Sequence, residues 1–125
     1  MRLDTHYTPN FSRRELACKC GCKPTPTGID ANLARLARAL QELRDLAGVP
    51  LIVTSGYRCP KHNQAVGGAP GSQHMHGLAA DIWSKHLTPK ELAGLAEKIP
   101  AFVNGGIGLY SRWVHVDVRN GRARW

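Results

Sequence analysis

Ser72-Gln73-His74-Met75-His76-Gly77-Leu78-Ala79-Ala80-Asp81 is the stretch on which the reading of this chain turns, together with the later His115-Val116-Asp117. His74 and Asp81 stand seven residues apart, too far for neighbours on one helical turn or one short strand. Gly77 between them lets the chain turn, so that a loop presents His74 and the following strand presents Asp81. With the later His115-Val116-Asp117, separate segments offer two imidazoles and a carboxylate. A catalytic zinc site needs three such N or O ligands and leaves its fourth position to water.

The elements around that stretch are read from capping and periodicity. Ser12-Arg13-Arg14-Glu15 is a capping box that opens a short helix. Asp30 is placed as the cap of the clearest helix, about Ala31 to Ala47, where Leu33, Leu36, Leu40 and Leu43 form one apolar stripe and Gly48 and Pro50 stop the helix. Leu51 to Thr54 reads as a buried strand running into Ser55-Gly56-Tyr57-Arg58, and Pro60 to about Val66 as a helical turn before a glycine-rich loop. Leu78 to Trp83 is a strand on which Ala79, Asp81 and Trp83 share a face. Thr88-Pro89-Lys90-Glu91 is a second capping box, with a helix to about Lys98.

Ile107 to Tyr110 and Trp113 to Val118 read as a closing hairpin. In its second strand the valines 114, 116 and 118 face one way, and Trp113, His115, Asp117 and Arg119 the other. That second face carries polar chemistry. The expected architecture is α+β, a small, mainly antiparallel sheet packed with helices, in a single domain over residues 1–125.

Composition narrows the function classes. A net charge of +8 favours anionic partners. The basic residues are scattered, and no helix-turn-helix, zinc-finger or RNA-binding aromatic pattern accompanies them, so attraction to an anionic cell envelope is preferred over specific nucleic-acid binding. No apolar run approaches a membrane span, and the first residues, Met1 to His6, have no signal-peptide core. The expectation is a monomer made in the cytoplasm that acts on the cell wall after release or export.

Ser72-x-His74-x-x-Gly77-x-Ala79-x-Asp81, followed by an isolated histidine in a strand, resembles the signature of the M15 zinc peptidases. The likeness extends to Ser55-Gly56-Tyr57-Arg58, His62-Asn63, Val66-Gly67-Gly68, His115 to Arg119 and Arg122 to Trp125. It implies the fold of the zinc D,D-peptidases (the Hedgehog/DD-peptidase type) and a peptidoglycan hydrolase of that family's subgroup A, phage-endolysin-like in kind. Endopeptidase action on stem peptides or crossbridges is favoured over D,D-carboxypeptidase action. The alternative class is a non-catalytic, zinc-stabilised cell-wall-binding module.

By the same resemblance His74, Asp81 and His115 are the zinc ligands, and Arg58 polarises the scissile carbonyl and stabilises the oxyanion. Ser72 and Tyr57 bind substrate, or Ser72 orients the His74 loop. Many relatives carry an acid or histidine two or three residues before the last ligand, where this chain has Arg112 and Trp113. Asp117 is then the available carboxylate. It serves as general base, or it fixes the ring of His115 or positions Arg58, and a third arrangement makes His115 the base and Asp117 the ligand. His76 reads as pocket lining or incidental, and His6, His62 and His86 as ordinary surface or structural residues, with His62 beside the family-like Asn63.

Cys18, Cys20, Cys22 and Cys59 make four thiols, the number of a structural zinc site, although the spacing is not the usual C-x2-C pair. Three states stay open: reduced thiols without a metal, a second, structural metal, or disulfides, the last disfavoured in a reducing cytosol.

Overall fold

The computed structural model describes residues 5–20 and 26–125. The chain opens with a two-stranded antiparallel hairpin, β1 (His6–Thr8) and β2 (Phe11–Ser12). The short helix α1 (Arg13–Leu16) follows, and its capping box is formed as expected: the Ser12 side chain accepts from the Glu15 N–H and the Glu15 side chain accepts from the Ser12 N–H. The long helix α2 (Thr27–Ala47) then buries Leu33, Leu36, Leu40 and Leu43, and ends at Gly48 in the left-handed conformation.

The helix starts a turn earlier than its sequence suggests. Pro26 stands at the N-cap with no side-chain cap, and the Asp30 carboxylate, expected to cap, instead accepts from the Tyr7 hydroxyl and the Arg13 guanidinium. A tertiary partner set has taken the side chain that local propensity assigned to the helix end.

β3 (Ile52–Ser55), α3 (Pro60–Ala65), a 3-10 turn (Gln73–His76) and β4 (Ala79–Trp83) come next. α4 (Pro89–Ala96), capped by Thr88 and Glu91, and α5 (Pro100–Val103) lead to β5 (Gly106–Leu109), β6 (Val114–Asp117) and a two-residue β7 (Ala123–Arg124). The main sheet has the order β3-β4-β6-β5-β7, antiparallel except for the parallel β5–β7 pair. This is the α+β, antiparallel-dominated layout expected of an M15-type fold.

Register decides what each face carries. Ala80 pairs with Val116 and Ile82 with Val114, and these four join Leu36, Leu40, Leu92 and Phe102 in the core beneath the helices. On the opposite face Asp81 pairs with His115, and Gly106 and Gly108 of β5 lie across from Asp117 and His115. The helical layer therefore consumes one face of the sheet and leaves the other to polar groups. Among the described residues no helix is long and apolar enough to cross a membrane.

Candidate metal centre and active site

Asp81 and His115 meet because they are direct cross-strand partners, which sets their side chains on the same face. His74 arrives from the 3-10 turn. Ser72 caps that turn, its Oγ accepting from the His74 N–H at 3.2 Å, and Gly77 ends it at φ 70°. A Cβ at Gly77 would also lie 2.9 Å from Ile29 Cγ2, so both the conformation and the space call for glycine. The Arg58 N–H donates to the His74 carbonyl at 3.0 Å, tying the turn to the segment after β3.

The three side chains converge tightly. His74 Nε2 lies 3.3 Å and His115 Nδ1 3.4 Å from Asp81 Oδ1, and all three donor atoms fall within 4.8 Å of one another. Tetrahedral zinc with bonds of about 2.0–2.2 Å separates its ligand atoms by roughly 3.3–3.6 Å, so each imidazole nitrogen already stands at ligand spacing from the Asp81 oxygen.

The tautomers also fit. His74 Nδ1 is 2.8 Å from the Gly56 carbonyl, which only accepts, so Nδ1 carries the proton and Nε2 turns a lone pair to the centre. On His115 the outer nitrogen, Nε2, is 2.7 Å from Asp117 Oδ2, which leaves Nδ1 for the centre. The donor set suits a borderline metal such as zinc.

Electrostatics follow from this crowding. Burial alone would raise the Asp81 carboxyl, but the hydrogen bonds and charge that the His115 and His74 rings offer when doubly protonated outweigh it and hold the group well below the ordinary carboxylate range. Burial would lower His115, yet its hydrogen bonds to Asp117 and Asp81 reverse that and raise it above its ordinary value. A divalent cation would relieve the same concentration of donors.

Arg58 is clamped beside the centre. Its Nε donates to Ser55 Oγ at 3.0 Å, Nη1 to Asn63 Oδ1 at 3.3 Å and Nη2 to Asp81 Oδ2 at 3.1 Å. A guanidinium has five N–H groups, so one on each terminal nitrogen is left beyond these three bonds, in a side chain that lines the cavity. Gly68 makes room for the clamp: a Cβ there would lie 2.1 Å from Asn63 Oδ1 and 3.0 Å from Arg58 Nη1. Asn63, itself held by donating to the Ala69 carbonyl, completes the clamp on Arg58, a place that sequence reasoning left unassigned.

Asp117 is fully buried at 0% exposure. Its oxygens accept from His115 Nε2, from the Gly106 N–H at 2.8 Å, and from the Arg119 N–H and guanidinium at 2.7–3.1 Å. It sits behind His115, on the ring edge away from Asp81, and does not line the cavity. Gly106 is what admits it, since a Cβ there would lie 2.3 Å from Asp117 Oδ2.

The cavity over the centre is about 460 Å³. One side is the backbone of Gly67, Gly68 and Ala69, and the other is an aromatic wall of Tyr110, Trp113 and Trp125. Tyr110 stacks on Trp113 with ring centroids 4.6 Å apart, and Trp125 Nε1 donates to the Tyr110 hydroxyl at 2.8 Å. The Trp125 ring lies 4.8 Å from that of His115, and the Arg119 guanidinium stands 5.3 Å from the indole's centroid. Ser72 also lines the cavity. Tyr57 is not brought to it: the residue is buried in the hydrophobic core, and its N–H donates to the Leu16 carbonyl. His76 and His86 stand away from the cavity, as does His6.

The aromatic wall went unassigned in the sequence reading because it depends on the C-terminal strand. Its sequence signals were Trp113 on the strand face of His115, Trp125 in the family-like tail, and the Gly106-x-Gly108 alternation, which leaves room for the Asp117 carboxylate and for the Trp125 indole.

Comparison with known proteins agrees with the geometry. The family described as Peptidase M15 matches residues 9–117, which takes in all three donors, Arg58 and Asp117. A search of curated proteins returned no match. With most of its length inside the family profile and a metal-ready His-Asp-His centre in its cavity, the chain belongs to the M15 peptidases and is a zinc metallopeptidase.

Proposed function

We propose that the protein hydrolyses amide bonds of peptidoglycan, in stem peptides or crossbridges, acting as a monomer on the wall after release or export. The observation that carries the reading is the 3.3 and 3.4 Å spacing of His74 and His115 about one oxygen of Asp81, with Arg58 on that carboxylate's other oxygen. His74, Asp81 and His115 would hold the zinc. When bound, zinc supplies a Lewis acid and lowers the pKa of water toward ~7.

The chain's own residues do the rest. Arg58, held by three acceptors, directs its two remaining N–H groups at the position where an amide oxygen gains charge. Ser72 holds the His74 turn. Asp117 acts as a positioning residue that keeps the proton on His115 Nε2, because a general base must come within reach of the proton it takes and Asp117 lies behind the ring. The glycine-lined side accepts an extended peptide close to the backbone, and the aromatic wall packs against its apolar parts. A net charge of +8 suits an anionic polymer. Endopeptidase action is favoured over D,D-carboxypeptidase action.

Purified protein incubated with peptidoglycan and zinc is expected to release fragments whose masses identify the cut bond, and a chelator is expected to stop the release. Release of terminal D-Ala alone would make it a carboxypeptidase. Muropeptides unchanged with zinc present would overturn the hydrolase and leave a wall-binding module.

Arg58→Lys tests the oxyanion role. Lysine keeps the charge but cannot reach Ser55, Asn63 and Asp81 at once. Its kcat is expected to fall about 10²–10³-fold, the usual cost of one oxyanion donor, with zinc content unchanged. Equal kcat in the two proteins would remove Arg58 from the mechanism.

A further inference from the structure

Outside the cavity, a second group of metal-ligating side chains gathers where the N-terminal segment crosses the start of α3. Donor atoms of Cys18, Cys20 and His62 lie within 4.8 Å of one another, although residues 20 and 62 are 42 positions apart. Cys20 Sγ is 3.2 Å from Cys18 Sγ and 3.5 Å from Cys59 Sγ. Four thiolate or imidazole ligands on tetrahedral zinc, with Zn–S near 2.3 Å, would place sulfurs about 3.8 Å apart, a few tenths beyond what is seen.

Two backbone donors point at the sulfurs: the Cys59 N–H reaches Cys18 Sγ, and the His62 N–H reaches Cys59 Sγ, each at 3.4 Å. Cys18 is buried and Cys20 exposed, so the group lies at the surface with an entry path.

We propose that Cys18, Cys20, Cys59 and His62 form a second, structural site for a thiophilic divalent cation such as zinc. The set differs from the four cysteines suggested by the sequence: His62 takes part, and Cys22 lies outside the described residues. The site's position gives it a purpose. Cys59 directly follows Arg58, and the same segment is already pressed against α1, where the Tyr57 N–H donates to the Leu16 carbonyl and a Cβ on Gly56 would lie 2.6 Å from that oxygen. A metal joining residues 18 and 20 to residues 59 and 62 closes a loop of about forty residues around Arg58. It fixes the backbone next to Arg58, whose own N–H is already held by the His74 carbonyl.

The test is metal stoichiometry with a sulfur-specific signature. Native mass spectrometry and elemental analysis of the intact chain purified with zinc should give two metal equivalents. His74→Ala/Asp81→Ala should lose one, and Cys20→Ser or His62→Ala the other. Cobalt(II) in place of zinc should give the near-ultraviolet thiolate-to-metal absorption, retained in His74→Ala/Asp81→Ala and lost in Cys20→Ser. The wild-type spectrum decides the matter even if a variant misfolds. One metal equivalent without thiolate absorption overturns the proposal, and so does an intact mass two hydrogens short, which would reveal a disulfide. Either result leaves the peptidase centre standing, since that centre contains no sulfur.

Discussion

Asp81→Ala is expected to abolish hydrolysis and to remove the catalytic metal. The Asp81 carboxylate is the hinge of the site: one oxygen lies 3.3–3.4 Å from both imidazoles, and the other accepts from Arg58. Removing it takes away the anionic member of a cluster whose other members are an imidazole pair and a guanidinium. The two histidines alone make a weak site, and Arg58 Nη2 loses the partner that aims it. Metal ions contribute several kcal/mol to stabilising charge in a hydrolytic transition state, and each 1.36 kcal/mol is tenfold in rate. The loss in kcat/KM should therefore be about 10³-fold or more. Asp81→Asn, which keeps the shape and an acceptor oxygen, separates charge from geometry and should bind metal weakly and remain at least about 10²-fold impaired. Both variants should keep the wild-type circular dichroism, because Asp81 lies on the polar face and the core valines on the other. Full zinc content in Asp81→Ala with kcat/KM within about tenfold of wild type would dismantle the assignment of the centre.

Spacing made it legible that separate elements must supply His74 and Asp81, whereas the choice of His115 over Asp117 as the third ligand came from the likeness to the M15 signature. Seven residues with an intervening glycine cannot be one helical turn, and alternation on β6 puts His115 and Asp117 on one face. Alternation could not say which edge of the imidazole Asp117 would meet. That depends on register with β5, where Gly106 leaves the pocket for the carboxylate, and on the Arg119 guanidinium folding back over it. The α2 stripe was legible for the same reason as His74 and Asp81, since four leucines at helical spacing have one satisfactory packing. The start of α2 was not, because Asp30 found better partners in Tyr7 and Arg13.

Nor was β7 legible. Its two residues have no periodicity, and the strand exists through long-range backbone bonds such as the Leu109 N–H to the Trp125 carbonyl at 2.8 Å. The aromatic wall is a consequence of that strand, so it stayed hidden with it.

Substitution of Asp117 is expected to separate positioning from base catalysis. Asp117→Ala leaves the Gly106 N–H, the Arg119 guanidinium and the outer nitrogen of His115 without their shared acceptor in a fully buried place. Breaking such a buried pair from one side costs about 3–5 kcal/mol, so the melting temperature should drop sharply. Burial would raise the Asp117 carboxyl, but hydrogen bonds from His115 and Arg119 hold it well below its ordinary 3.8. A carboxyl lowered in this way contributes stability that is present above the unfolded value and lost as pH falls through the folded one. Metal-free wild type should therefore lose stability steeply as pH drops below about 4, and Asp117→Ala should show a flatter acid limb over the same range. Asp117→Asn is the decisive variant for function. It still offers an oxygen to His115 or Gly106 but no charge, and removal of such a partner typically lowers metal affinity about 10–100-fold. A positioning residue predicts that excess zinc restores most of kcat in Asp117→Asn, because the reacting groups themselves are intact. A general base predicts a deficit of about 10²–10⁴-fold that no zinc concentration repairs, together with loss of the acidic limb of the kcat–pH profile. Zinc rescue is the expected result, because a carboxylate that takes five donors on its two oxygens and lies behind the His115 ring, outside the cavity lining, is not placed to take a proton there.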